Sequence, residues 1–166
     1  MKKTILAITV VGVFALAVGL ASAAAPNFAG TWALDKAKSE GLQQQMANAD
    51  QTMVVTQDAK QISTSTTVTV DGQARPANTA SYNLDGTETT ADVQGRFPGK
   101  ATRKAKWAGE VLELSSVLNA NFQGNDVKIT TTEHWELADG GKTLKIHRTV
   151  ESPQGPRETK LTFTKK

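Results

Sequence analysis

NFAGTWALD, Asn27–Asp35, follows directly on an apolar amino terminus and decides how the rest of the chain is read. The chain has three Trp and one Tyr, so an indole set two residues after a glycine is a committed choice. In an extended stretch side chains alternate, which puts Phe28, Gly30, Trp32 and Leu34 on one face. Gly30 lets another element approach closely, and the indole of Trp32 then caps one end of an apolar interior. The same residues also suit a structural core Trp in a β-sandwich.

Lys36–Asp50, KAKSEGLQQQMANAD, is the stretch with helical character. Ser39 is placed to cap it and Leu42 and Met46 stand one turn apart, while Gly41 works against it. Beyond it Thr, Val and Ile are dense and turn residues recur. Strands are expected at Asn27–Leu34, Gln51–Gln57, Gln61–Val70, Thr79–Leu84, Thr87–Val93, Ala101–Trp107, Val111–Asn119, Val127–Leu137, Thr143–Val150 and Thr159–Thr164. Asp71-Gly72, Asp85-Gly86 and Asp139-Gly140-Gly141 mark turns, and Gln94–Lys100 is a longer loop. Short connections pair successive strands antiparallel, giving a meander. Closing such a sheet removes its edges, so the expectation is all-β: an up-and-down barrel of about 8–10 strands. A short helix or lid loop follows its first strand.

FAGTW, Phe28–Trp32, resembles the Gly-x-Trp that opens the first strand of the lipocalins and their calycin relatives, among them fatty-acid-binding proteins and avidins. The resemblance implies an up-and-down antiparallel barrel holding a small, often apolar molecule. It implies a lid between the first two strands, where Lys36–Asp50 lies. It also implies a basic residue near the chain end packing on the Trp. Antiparallel closure makes Lys165 the geometric candidate, and Arg148 is the better one chemically.

The first residues read as an export signal. Lys2 and Lys3 precede an apolar run, and Ala21-Ser22-Ala23 supplies the small-x-small cleavage pattern, with cleavage after Ala23. This divides the chain into a signal peptide, residues 1–23, and one β-barrel domain, residues 24–166. The other reading of the run is an uncleaved anchor, against which stand its small-residue exit and the lack of a charged stop-transfer cluster. With no Cys there is neither a lipid-bearing cysteine nor a disulfide, so packing carries the fold. Removing Lys2 and Lys3, and no acid, lowers the formal charge from +3 to +1, which offers no case for nucleic acid. The expected location is periplasmic or secreted, without an integral membrane segment after signal removal.

Parity and register then place polar groups inside. If Leu137 opposes Leu144 across Asp139–Lys142, Trp135 opposes Ile146 and Glu133 opposes Arg148, both charges pointing inward. Arg103 shares the inward parity of Trp107 and has no acid assigned to it. Tyr82 and Ser116 are inward polar candidates on other strands. An interior guanidinium suits a carboxylate or other anionic head, because its fork donates two parallel hydrogen bonds. Arg103, Tyr82, Ser116, Trp107, Glu133 and Arg148 are therefore the candidate cavity residues, with Glu133 and Arg148 neutralising each other. His134 and His147 oppose each other on the outer face. Zinc normally wants three or four protein ligands, so a solvated pair is expected rather than a metal site. Signatures of catalytic cysteine, serine, metal or nucleotide chemistry are missing, and no cofactor is expected. The function expected is an exported carrier of a small amphipathic or hydrophobic molecule. The runner-up is an envelope interaction module or inhibitor of a secreted enzyme, and an enzyme comes third.

Overall fold

The computed structural model describes residues 25–94, 97–122 and 124–166, so the signal-peptide assignment and its cleavage site lie outside the described residues. The chain forms an antiparallel meander: β1 Gly30–Leu34, β2 Ala49–Gln57, β3 Gln61–Val70, β4 Gln73–Ala74, β5 Asn78–Asn83 and β6 Thr89–Val93, then β7 Gly99–Ala108, β8 Val111–Phe122, β9 Asn125–Ala138, β10 Thr143–Glu151 and β11 Arg157–Lys165. The ladder order is β4-β3-β2-β1-β11-β10-β9-β8-β7-β6, with β5 also on β3, so β1 joins the last strand to the early ones. This is the expected all-β barrel-like sheet. Its ten predicted strands are present, and the two-residue β4 is added to them.

Register follows from the turns. Asp139–Gly141 closes the hairpin that sets Leu137 opposite Leu144, Trp135 opposite Ile146 and Glu133 opposite Arg148, as the sequence predicts. Because strand parity is conserved across each ladder, interior residues line up in layers. One layer carries Trp107, Leu112, Trp135, Ile146 and Leu161. The neighbouring one carries Ala105, Leu114, Glu133 and Arg148, and the next Arg103, Ser116, Thr131 and Val150. The interior thus passes from apolar to polar along the barrel axis.

The apolar end is packed solid. Phe28, Trp32, Trp135, Leu144 and Phe163 are fully buried there. Phe28 precedes β1 and is turned in as a plug. The Trp32 indole N–H donates to its carbonyl at 2.9 Å, and its own N–H donates to Gln57 Oε1 at 2.9 Å. These bonds satisfy backbone groups that burial would otherwise leave unpaired. Full burial of a Trp or Phe side chain stabilises by roughly 1.5–3 kcal/mol or more on area grounds.

Two expectations are corrected. Lys36–Asp50 is not a helix: it holds a 3₁₀ turn at Lys36–Lys38 and a single helical turn, α1, at Gln44–Ala47. Ser39 starts no helix; it ends the 3₁₀ turn, its N–H donating to the Lys36 carbonyl at 3.4 Å, while its hydroxyl donates to the Asp35 carbonyl at 2.7 Å and accepts from the Thr162 N–H at 3.0 Å. Glu40 then bridges Lys160, with both backbone bonds made. Gly41 runs so close to β11 that a Cβ there would sit 2.7 Å from the Glu158 carbonyl oxygen. Residues 39–41 therefore run along β11, and the short helix after the first strand is the single turn α1.

The second correction concerns closure. β5 pairs with β3 and β6 with β7, and no ladder joins β5 to β6. The Asp85-Gly86 turn satisfies itself, with Asp85 Oδ1 accepting from the Thr87 N–H and hydroxyl at 2.9 and 2.6 Å. The strands leave it splayed, and the Thr89 hydroxyl reaches the Ser81 carbonyl across the seam at 2.9 Å.

Candidate functional site

The polar layers line an open cavity of about 290 Å³. Glu133 is central to it. One carboxylate oxygen accepts from Arg148 Nε at 2.6 Å and the other from the Trp135 indole N–H at 2.7 Å. Both partners are dictated by the ladder, since Arg148 lies opposite Glu133 and Trp135 two residues further on the same face. The ion pair uses Arg148 Nε, and Arg148 also lines the cavity.

Arg103 is 9% exposed and lines the same cavity. Among the described residues no carboxylate lies within ion-pairing distance of it, and its side chain makes no hydrogen bond. Tyr82 stands between these charges. Burial, and then the Glu133 carboxylate, push its phenol up to about 12, partly offset by Arg103 and Arg148. It is thus a neutral hydroxyl donor at physiological pH. The charged groups lining the cavity are two guanidinium groups and one carboxylate, a net single positive charge.

Five of the six residues expected inside, Arg103, Tyr82, Ser116, Glu133 and Arg148, line this cavity together. Trp107 does not. Its inward parity holds, but it belongs to the apolar layer, where its ring stacks on Phe28 at 6.1 Å. Thr64, Thr66 and Asn78, which are not among the expected cavity residues, also line it from β3 and β5. The signal was available: Thr64 and Thr66 share parity with Ile62 and Val68.

At the closed end, Trp32 lies opposite Lys165, whose ammonium sits 5.2 Å from the indole centroid. This is the basic residue near the chain end that the calycin resemblance implies, and Arg148 is engaged elsewhere. Gly30 makes room for it. Its φ is +146°, and a Cβ there would lie 2.7 Å from Lys165 Cε.

A second, larger hollow of about 980 Å³ follows the seam between β5 and β6. It shares Asn78, Ala80 and Arg103 with the inner cavity, and its lining is mixed, with Ala91, Val93, Phe97 and Leu118 beside Thr89, Thr90 and Asp92. On the outer face the His134 and His147 rings lie 6.2 Å apart. Each is paired to an acid instead, His134 to Glu113 at 3.4 Å and His147 to Glu158 at 2.6 Å. Among the described residues no three His, Cys, Asp or Glu side chains converge on a metal position. None of the helices described is long and apolar enough to cross a membrane.

Among solved structures, the chain is similar to zebrafish ileal bile acid-binding protein crystallised with cholic acid. The TM-score is 0.54 and the identity 15%, over 84% of this chain and 98% of that one. That likeness shows the fold alone, an antiparallel up-and-down sheet curled like a barrel. No protein-family model and no curated protein matches the sequence.

Proposed function

We propose that this chain is an exported carrier of a small amphipathic anion. The anionic head lies between Arg103 and Arg148, and the apolar body follows the hollow along the β5–β6 seam. The observation that carries this reading is Arg103, a nearly buried cation with no acidic partner among the described residues, in a cavity of net positive charge. A buried charge is held at a cost unless something neutralises it, and a bound carboxylate does so bidentately. The cavity matches the lower end of small-molecule sites, about 300 Å³. The zebrafish protein was crystallised with cholic acid, a ligand of this chemical kind. The interaction-module reading needs an exposed apolar patch. Among the described residues the large hydrophobic side chain left exposed is Val54 alone. Export rests on Lys2-Lys3, the apolar run and Ala21-Ser22-Ala23.

Native mass spectrometry of protein from its own host tests for a retained small molecule. Calorimetric titration with a panel of carboxylic acids, apolar and hydroxylated, on the parent and on Arg103→Ala, tests the site. The variant is expected to lose about tenfold or more in affinity, the worth of charge-assisted hydrogen bonds, while melting like the parent. Unchanged affinity, or no acid bound by the parent, overturns the assignment.

A further inference from the structure

The interior polar side chains are uncommitted. Thr64, Thr66, Asn78, Tyr82, Ser116 and Thr131 all line the inner cavity, and among the described residues none makes a side-chain hydrogen bond within the protein. Asn78 is exposed at the rim, and no buried side-chain nitrogen or oxygen in the described structure lacks a partner, so the polar atoms of the other five are open to solvent as well. They come from β3, β5, β8 and β9, on more than one wall. An alkyl chain filling this space would strip water from all of them and bond to none.

We infer that what occupies the inner cavity is a compact polyhydroxylated carboxylate of the sugar-acid class. Its carboxylate meets Arg103 and Arg148, and its hydroxyls meet the ring of Thr, Ser, Tyr and Asn side chains. This rests on the carrier reading and names the head group that reading leaves open. The volume agrees: 290 Å³ is the space of roughly ten waters, or of one hexose-sized acid. Such an acid arrives either free or as the head group of a lipid whose tail lies in the seam.

Calorimetry with D-gluconate and hexanoate separates the chemistry, since the two share charge and carbon number and differ in the hydroxyls along the chain. Gluconate is expected to bind about tenfold or more tightly, because a site of unpaired polar groups rejects a ligand that lacks them. Thr66→Val and Thr131→Val keep side-chain volume and strand preference. Each should weaken gluconate by about two- to tenfold, one hydrogen bond's worth, and leave hexanoate within about twofold. Octyl β-D-glucuronide distinguishes the sources: binding tighter than gluconate supports a lipid head group, and weaker binding supports the free acid. Hexanoate or longer apolar acids binding as well as gluconate overturns the inference and leaves the carrier reading intact. Failure of every acid and of the glucuronide to bind overturns both.

Discussion

Arg148→Ala removes one partner of the interior ion pair and leaves the Glu133 carboxylate behind. Breaking a fully buried pair costs about 3–5 kcal/mol, because the surviving charge is stranded. Two features reduce that here. The Arg148 side chain is 33% exposed and that of Glu133 13%, so water reaches part of the pair. The Trp135 indole also keeps its hold on the second carboxylate oxygen at 2.7 Å. What is lost is one charge-assisted hydrogen bond and part of the neutralisation, about 2 kcal/mol. Urea denaturation of parent and variant measures it, provided the slopes agree. A cycle with Glu133→Gln then shows the cause. In the Arg148→Ala background the neutral amide should recover about 1 kcal/mol, since the stranded charge is gone. A loss within about 0.5 kcal/mol for Arg148→Ala would refute the reasoning, because that is the range of surface substitutions. So would an additive further loss in the double variant.

Tyr82 is the chain's one tyrosine, so tyrosinate absorbance reports on it directly. With its phenol raised to about 12, the folded state holds the proton over a range where the unfolded chain releases it. Stability is therefore unaffected below the ordinary tyrosine pKa near 10, and falls as pH rises from there towards 12. Tyr82→Phe should flatten the difference, and a tyrosinate midpoint near 10 in the folded protein would contradict the site's geometry. Trp32→Ala should destabilise by roughly 3–5 kcal/mol in denaturant melts, the usual loss for a buried Trp, and a loss under about 0.5 kcal/mol would place it outside the core. Amino-terminal sequencing should find the protein beginning at or near Ala24; a product that retains Met1 and pellets with membranes would rule out the cleaved signal.

Much of the interior was legible because it depends on local rules. Side-chain alternation and a short loop at Asp139–Gly141 suffice to put Glu133 opposite Arg148 and to aim both inward. The same parity on β7 turns Arg103 in, and antiparallel closure brings Lys165 to Trp32. A period of two residues and a loop too short to allow another register leave little choice.

Tertiary structure decided what depends on partners distant in the chain. Ser39 has the look of a helix cap, but its hydroxyl is taken by the Thr162 backbone, and Glu40 by Lys160. Local propensity is worth a few tenths of a kcal/mol per residue and yields to a strand edge that offers paired backbone bonds. Trp107 and Arg103 have the same parity on one strand, yet one packs on Phe28 and the other faces the cavity. Parity says which side of a sheet a residue takes. Depth along the barrel axis depends on the plug that fills one end, and on the seam where β5 and β6 fail to meet. By itself the sequence determined the strands, their faces and the charges turned inward. Only the fold decided that those charges share a polar chamber, because that depends on how far the apolar packing around Phe28 reaches before the hydroxyl-bearing layers begin.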